Sequence, residues 1–177
     1  MSARSRLPAP ALAALLAAAA LLAGCGYRIV GIGGQLPEGI TRVEVPVFEN
    51  RTARTDVGRV LTEKFIEQLL GAAKVRVVRG EEAQAVFSGV VTRYKIDPIT
   101  FDSKQRPLEN RLTIVIDVAL STREGERVLF SEKAVTVRED FQVQTDLQEN
   151  DRLENEALIV ASGLMSQKLV GLMLEGF

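Results

Sequence analysis

The segment 111–121 constrains the fold more than any other part of this sequence. Every second residue in it is a large aliphatic one, and these residues are Leu112, Ile114, Ile116, Val118 and Leu120. Because the side chains of a β-strand point alternately to its two faces, this spacing predicts a long strand with one apolar face. That face needs a second layer of structure to cover it.

Two other segments have apolar residues at helical spacing. The first spans residues 57–70 and follows Thr55 or Asp56, either of which can act as its N-cap. The second begins near Asn150 or Asp151 and continues for about 24 residues, long enough to lie diagonally across a sheet. Each predicted helix has a single apolar stripe, so each is expected to pack on the sheet with that stripe.

Shorter β-type segments precede the central strand. Alternation over 41–48 predicts a strand with Val43 and Val47 on the same face. Pro46 marks it as an edge strand or as one that ends early, because proline has no N–H to donate to a neighbour. The segment 75–78 predicts a short strand after the first helix. The sheet is therefore expected to begin before that helix and to continue after it.

Two further strands are expected beside the central one. A strand is predicted over 85–96, stopped by Asp97-Pro98, and a polar loop over 101–110 then leads into the central strand. A tight turn, in which Gly125 can take a positive φ, leads to a returning strand over 127–138. The central strand is thus predicted to have a neighbour on both sides.

The order of the elements defines the expected fold class. It is strand, helix, short strand, three long strands and a final helix. We therefore predict an α+β fold, a two-layer sandwich in which a small mixed or antiparallel sheet of about four long strands carries two helices on one face.

The N-terminal segment predicts a secretory signal rather than part of the folded domain. It holds two arginines, no acidic residue and an apolar stretch over residues 9–23. The stretch ends in Leu-Ala-Gly-Cys at 22–25, which resembles the bacterial lipobox, whose cysteine receives a lipid. Residues 1–24 are therefore predicted to be a lipoprotein signal peptide, and Cys25, the one cysteine of the chain, to be the lipid anchor.

This prediction divides the chain into three parts. They are the signal peptide, a lipidated N-terminus with a glycine-rich flexible tether at 25–39, and a single α/β domain at 40–177. By resemblance to the sorting rule of Gram-negative lipoproteins, the non-acidic Gly26 favours the outer membrane. The domain is expected to be held there by its lipid and to face the periplasm.

The composition excludes several functional classes. There are 22 Lys and Arg residues against 23 Asp and Glu residues, which argues against a nucleic-acid partner because such proteins need a concentrated basic face. The chain has no histidine and one cysteine, so it offers no imidazole base, no internal disulfide and no Cys-His metal cluster. We predict that the protein is not an enzyme, has no catalytic residues, and binds no metal or cofactor.

The polar loop before the central strand contains the candidate binding residues. Lys104 and Arg106 lie there beside Phe101 and Leu108, and Arg111 follows directly after the loop, so that the three cations lie within eight residues. Cations next to apolar side chains suit a ligand that carries both phosphates and acyl chains. The alternative interpretation is an ordinary solvated loop without a ligand.

Several segments together resemble one family of bacterial lipoproteins. Residues 24–27, 36–40 and 43–52 resemble the opening of the LptE family of lipopolysaccharide-assembly lipoproteins. Further matching positions are 89–91, Tyr94, Pro98, 101–102, 155–157 and 175–177. The resemblance covers nearly all of the chain after the signal peptide.

The resemblance implies a fold, partners and a ligand. Such proteins have a small sheet with two helices and lie inside the lumen of the outer-membrane β-barrel LptD. They bind lipopolysaccharide during its insertion in the outer leaflet. Some members use basic residues in the loop before the long central strand, the region that holds Lys104 and Arg106 here. The expected partners are therefore an LptD-type barrel, lipopolysaccharide, and the membrane that holds the N-terminal lipid.

One alternative function stays open. Residues 43–52 also fit the strand opening V-x-V-x-x-F-x-N-x-T of lipoproteins in the curli-secretion and penicillin-binding-protein activator families. The alternative is a periplasmic assembly or activator lipoprotein of that type. Its partner would be a synthase or another copy of the chain rather than a large barrel.

Overall fold

The computed structural model describes Leu36 and residues 39–175, which belong to one compact unit. The predicted signal peptide and Cys25 lie outside the described residues. Besides one 3-10 turn at Gly80–Glu82, the elements in chain order are β1 (Arg42–Glu44), β2 (Glu49–Asn50), α1 (Val57–Ala72), β3 (Arg76–Val77), β4 (Ala85–Phe101), β5 (Pro107–Thr122), β6 (Val128–Gln142) and α2 (Leu147–Glu175).

The strands form one mixed sheet in the order β3-β1-β4-β5-β6, with β2 paired to β4 further along that strand. The short strands β1, β2 and β3 run parallel to their neighbours, whereas β4, β5 and β6 form antiparallel pairs. The α+β class and the two helices on a sheet are confirmed. The sheet has three long and three short strands, however, instead of about four long ones.

One face of the sheet and the stripes of both helices form the core. The alternating aliphatic residues of β5, from Leu112 to Leu120, are all buried, as predicted from their spacing. Buried residues of α1 include Val57, Leu61, Phe65 and Leu69, and those of α2 include Leu158, Met165 and Leu169. The other face of β5 is only partly buried and mainly polar. The helices therefore cover one face of the sheet and leave the other open.

Three phenylalanines join the start of the sheet to α1. The rings of Phe65 and Phe87 are stacked with centroids 4.2 Å apart, and Phe48 lies 5.6 and 6.0 Å from them. Such offset and tilted ring pairs add to the free energy of burial. All three side chains are buried.

The first predicted strand ends early, one of the two outcomes expected from Pro46, but the face that the prediction assigns to Val47 is wrong. β1 ends at Glu44, before Pro46, and the chain pairs with the sheet again only in β2. Val47 is 68% exposed, whereas Phe48 is 3% exposed and lies in the core. Val43 is buried as expected.

The cause is one extra residue between the two short strands. Val43 pairs with Ala85, and Glu49 pairs with Val90, so six steps along the chain accompany five steps along β4. An extra residue reverses which side chains face the core, because the period of a strand is two residues. Phe48 therefore takes the inward position beyond the irregularity.

The hairpin between β4 and β5 is longer than predicted, and its loop is shorter. β4 continues through Pro98, which pairs with Asn110, and it ends at Phe101, opposite Pro107. β1 and β2 accompany only the first part of β4, so along its second part the described residues place a neighbour on one side only. Proline is tolerated at such an edge, because its missing N–H removes no bond on the unpaired side. The polar loop is reduced to residues 102–106.

The last helix also begins earlier than predicted. It starts at Leu147, and the Oδ1 atom of Asp146 accepts the N–H of Glu149 at 2.9 Å, which is the geometry of an N-cap. Asn150 and Asp151, the predicted caps, lie inside the helix. This helix is long and apolar enough to cross a membrane, but half of its apolar window is buried within the protein, as in a core helix.

Candidate functional site

The tip of the β4–β5 hairpin is built around one carboxylate. The Oδ1 atom of Asp102 accepts the N–H groups of Lys104 at 2.7 Å and of Arg106 at 2.9 Å. Its Oδ2 atom accepts the Nε–H of Arg106 at 2.8 Å. The backbone closes the turn, because the Asp102 N–H donates to the Arg106 carbonyl and the Gln105 N–H donates to the Asp102 carbonyl. Gln105 has a positive φ of 62°, which the turn requires.

The cations of this turn differ in how far they are engaged. The backbone N–H and guanidinium of Arg106 hold the pKa of the Asp102 carboxyl below its ordinary value. Arg106 uses only its Nε atom in that ion pair, and its side chain is 73% exposed. Lys104 is exposed and has no ion-pair partner in the described part of the chain. The turn therefore presents an ammonium group and the outer N–H groups of a guanidinium to the solvent.

Three large apolar side chains are exposed in the same part of the hairpin. Ile99, Phe101 and Leu108 retain 36%, 47% and 45% of their accessible surface. Phe101 is the cross-strand partner of Pro107, so these residues lie within the last few pairs of the hairpin. Exposed apolar groups next to cations form an amphipathic surface, which in soluble domains often marks a binding site.

Arg111 lies outside this turn. It is on β5, aligned with Asp97 on one neighbouring strand and with Asp140 on the other. Its Nε and Nη2 atoms donate to the two carboxylate oxygens of Asp140 at 2.7 and 2.8 Å. This fork-like ion pair lowers the pKa of Asp140 and raises that of Arg111. The structure therefore brings Lys104 and Arg106 together and leaves Arg111 engaged on the open face of the sheet.

A second polar cluster was not identified from the sequence. Arg54 donates to Asp56 at 2.8 Å, to Glu154 at 2.7 Å and to Asn155. The hydroxyl of Tyr94 donates to the same Glu154 oxygen at 2.8 Å. Burial and the hydrogen bond to Glu154 raise the pKa of Tyr94 above its ordinary value. The cluster joins the starts of both helices to β4 and has a structural rather than a ligand-binding geometry.

This cluster explains the outcome for the first predicted cap. Asp56 occupies the N-cap position of α1, as predicted, but its side chain makes no capping hydrogen bond. Its carboxylate accepts the Arg54 guanidinium instead. Tyr94 and the segments around Asn50 and Asn155 are among the positions that carry the family resemblance. No local pattern in the sequence shows, however, that these segments come together in one cluster.

A second set of exposed apolar side chains lies on α2, where Ile159, Val160 and Leu164 retain 50%, 48% and 42% of their accessible surface. Among the described residues there is no group of three or more Asp, Glu, His or Cys side chains that could hold a metal ion. A shallow groove of about 450 Å³ runs along α2 and is lined by Leu164, Gln167, Lys168, Gly171 and Leu172. Lys168 is the one cation in the lining of this groove, and its ammonium donates to the Thr136 carbonyl at 3.2 Å. The hairpin tip, with two cations beside exposed apolar side chains, is therefore the stronger candidate for an anionic ligand.

The fold and the amphipathic hairpin together define a class: a small α+β domain with two helices on one face of a mixed sheet. Solved structures share this fold. A solution structure of lipoprotein B from Nitrosomonas europaea is similar with a TM-score of 0.57 at 13% identity, over 85% of this chain and 92% of that one. A crystal structure of a protein from Xanthomonas campestris is similar with a TM-score of 0.56 at 14% identity, over 82% and 92%.

The sequence itself identifies the family. The model of the lipopolysaccharide-assembly family LptE matches residues 40–170, and the chain therefore belongs to this family. No protein of curated function matches the chain. The family is one of assembly proteins rather than enzymes, so this chain is a lipopolysaccharide-assembly lipoprotein of the cell envelope.

Proposed function

We propose that this chain is anchored to the outer membrane by a lipid on Cys25, plugs the lumen of an LptD-type β-barrel, and binds lipopolysaccharide during its delivery to the outer leaflet. Membership of the lipopolysaccharide-assembly family supports the process. The observation that carries the ligand contact is the exposed pair Lys104 and Arg106 beside Phe101 and Leu108. It favours a ligand over the alternative of an ordinary solvated loop.

The chemistry of the tip matches that of the ligand. Lipopolysaccharide carries phosphates and acyl chains, and the tip offers cations and apolar side chains within one turn. Each charge-assisted hydrogen bond to a phosphate contributes about 1.5–3 kcal/mol where water is excluded. The free N–H groups of Arg106 suit a forked contact, whereas the ammonium of Lys104 acts as a mobile point charge. A contact by Arg111 stays a prediction, because it would first have to leave Asp140.

The open face of the sheet supports the barrel association. Its residues on β4 and β5 include Ser88, Lys95, Thr113, Asp117 and Ser121, and none of these is fully buried. The lumen of an outer-membrane barrel is polar, so a plug needs a polar surface and keeps its apolar residues in its own core. A family match over most of the chain does not favour the alternative of a curli-secretion or activator lipoprotein.

Charge reversal at the tip tests the ligand contact. The double variant Lys104→Glu/Arg106→Glu is expected to bind lipopolysaccharide at least about tenfold more weakly, since 1.4 kcal/mol corresponds to one decade. Its association with the barrel is expected to persist, because that surface is large. Binding to purified lipopolysaccharide and recovery of the barrel in a pull-down measure the two effects.

A matched control is available at the other end of β4. Lys74 and Arg79 are exposed and lie on either side of β3 in the chain. β3 pairs with β1, and β1 pairs with the first residues of β4. Their distance from the tip is roughly 50 Å, given about 3.3 Å per strand residue. Lys74→Glu/Arg79→Glu makes the same change in net charge and is expected to leave binding unaltered. An equal loss of lipopolysaccharide binding in both variants would show that the effect comes from net charge rather than from the tip. Unchanged binding in the tip variant would show that the tip is not part of the binding site.

The lipid anchor has its own test. Cys25→Ala is expected to accumulate as an uncleaved precursor without a lipid adduct, because the thiol that carries the lipid is missing. Mass spectrometry and membrane fractionation measure both properties. Normal cleavage and lipid labelling of this variant would contradict the proposed anchor, and with it the proposed division of the chain into residues 1–24, 25–39 and 40–177.

A further inference from the structure

Two arginines lie on the open face of the sheet, on either side of β5. Arg93 of β4 pairs with Val115, and Arg138 of β6 pairs with Thr113, two positions away along β5. The spacing of strands and the rise per residue place the Cα atoms of the two arginines about 12 Å apart. Two extended guanidinium side chains can reach a common anion across that distance. We call these two residues the open-face arginine pair.

Both side chains of the pair are on the side of the sheet away from the helices. Tyr94 follows Arg93 and donates to Glu154 of α2, and Val137 precedes Arg138 and packs against the core. Successive residues of a strand face opposite sides, so the two arginines face the solvent, and both are exposed. Neither guanidinium has a hydrogen-bond or ion-pair partner within the described part of the chain.

The two cross-strand rows that contain the pair hold cations and no carboxylate. Their members on β4, β5 and β6 are Arg93, Lys95, Thr113, Val115, Thr136 and Arg138. The carboxylates of the adjacent rows are Asp97, Asp140 and Asp117, and each already accepts a donor of this protein. The arginine pair is therefore the part of this face with free capacity to bind an anion.

The surroundings of the pair differ from those of the hairpin tip. At the tip the cations lie beside Phe101 and Leu108, whereas none of the large apolar side chains that are exposed in the described part of the chain lies in the two rows of the pair. The pair therefore suits an anion that carries no acyl chains. Phosphate is the anion whose oxygens match the forked N–H groups of guanidinium best, because one phosphate can accept from both arginines.

We propose that Arg93 and Arg138 form a second anion site, which binds a phosphate group on the sugar part of the lipopolysaccharide whose lipid part contacts the hairpin tip. This inference rests on the proposed function, because it assigns the second site to the same ligand. The pair occupies only two rows of the open face, so the rest of that face stays available to the barrel.

The distance between the two sites fits one extended ligand. Thr113 and Val115 lie six and eight residues beyond Pro107, where β5 begins at the tip, so the arginine pair is about 20–27 Å from that end of the hairpin. In lipopolysaccharide the acylated sugars continue into further sugars that carry phosphate groups. A single molecule can therefore contact the tip with its lipid part and the pair with its sugars.

A small probe tests the site without any lipid. Glucose 6-phosphate is titrated into the isotope-labelled protein, and the Nε–H resonances of the arginines are followed by NMR. Those of Arg93 and Arg138 are expected to shift until they saturate, whereas neutral glucose moves neither. Arg76 and Arg79 are exposed arginines in and after β3 and provide the reference for non-specific attraction. Equal shifts in all four arginines, or none in the pair, would overturn the site.

A double variant tests the assignment to lipopolysaccharide. Arg93→Gln/Arg138→Gln removes two exposed guanidinium groups, so its urea midpoint is expected to match that of the parent protein. Its binding to lipopolysaccharide with a phosphorylated core is expected to weaken about three- to tenfold, within the range of two exposed ion pairs. Its binding to lipid A, which lacks the core sugars, is expected to stay unchanged. Arg76→Gln/Arg79→Gln makes the same change in net charge and is expected to leave both affinities unaltered.

Three results would overturn the assignment to the sugar part. They are an equal loss in the control variant, a loss toward lipid A as large as that toward complete lipopolysaccharide, and a loss of barrel recovery with unchanged lipopolysaccharide binding. The last result would assign the arginine pair to the partner protein instead.

The tip variant separates this inference from the proposed function. If Lys104→Glu/Arg106→Glu binds lipopolysaccharide normally while Arg93→Gln/Arg138→Gln binds it weakly, the proposed tip contact is wrong and the open-face site stands. If only the tip variant binds weakly, the proposed function survives and the second site is wrong.

Discussion

A methyl group on Gly58 would test how closely α1 packs against the start of the sheet. Gly58 lies in the first turn of α1. A Cβ atom there would stand 2.4 Å from the carbonyl oxygen of Phe48 and 3.4 Å from the Cβ of Asn50. The first distance is far shorter than any ordinary contact, and the atom that it meets belongs to the backbone. The helix or the Phe48 segment would therefore have to move.

Neither side can move freely. The N–H of Phe48 donates to the Oγ1 atom of Thr62 at 2.9 Å, and the Thr62 hydroxyl donates to the Gly58 carbonyl at 2.7 Å. The Phe48 ring is also enclosed by Phe65 and Phe87, as described above. A shift of Phe48 would thus disturb a buried hydrogen bond and the ring cluster together.

The expected magnitude follows from opposing effects. Forcing an extra carbon into a packed site costs about 1–3 kcal/mol, and weakening a buried hydrogen bond costs about 1 kcal/mol. The better helix propensity of alanine offsets about 0.5–1 kcal/mol of this. Gly58→Ala is therefore expected to lower the free energy of unfolding by about 1–3 kcal/mol, which for a domain of this size lowers Tm by roughly 2–12 °C.

Gly71 in the same helix provides the control. A Cβ atom there meets nothing within 4 Å. Gly71→Ala is expected to raise the stability by about 0.5–1 kcal/mol through helix propensity alone. Urea unfolding followed by circular dichroism, on the chain from residue 26 without its lipid, measures both variants. If Gly58→Ala is as stable as the parent or shifts with Gly71→Ala, the close approach of α1 to Phe48 is wrong.

Two further predictions concern the cluster around Arg54. Tyr94→Phe keeps the ring but removes the hydrogen bond to Glu154, and it is expected to lower the free energy of unfolding by about 1–2 kcal/mol in the same urea assay; no change would contradict a stabilising role for this bond. The Arg54 guanidinium lowers the pKa of Asp56 in the folded state. The Arg54–Asp56 ion pair therefore contributes its full stability above the ordinary pKa of aspartate, and this contribution is lost as the pH falls through the lower pKa of the folded state. Stability should therefore decline below about pH 4, and Arg54→Met should show a smaller decline between neutral and low pH; an equal decline in both proteins would show that this pair does not contribute.

Local periodicity determined most of the elements. The alternation along β5, the stripe of α1 and the turn at Gly125, whose φ is 71°, were all predictable from the sequence. These patterns work because the contacts of each side chain along a strand or helix repeat with the period of that element. The sequence likewise singled out Lys104 and Arg106 as neighbours in one polar segment, since they are only two positions apart.

Tertiary structure decided the features that depend on a distant partner. Pro98 stays in a strand because the neighbouring strands on one side stop before it. Phe48 rather than Val47 enters the core because β4 sets the register on both sides of one extra residue. Arg111 was grouped with the loop cations, but Asp140, on the next strand, holds it elsewhere.

The same reason applies to the cluster of Arg54, Tyr94 and Glu154. Each of these residues is unremarkable within its own segment, and each finds its partner only when α1, α2 and β4 are assembled. The sequence by itself thus determined the periodic elements and the cation pair of the hairpin, whereas the anchor at Cys25 stays a prediction. The fold decided register, edges and ion-pair partners, because those depend on hydrogen bonds and contacts between segments that lie far apart in the chain.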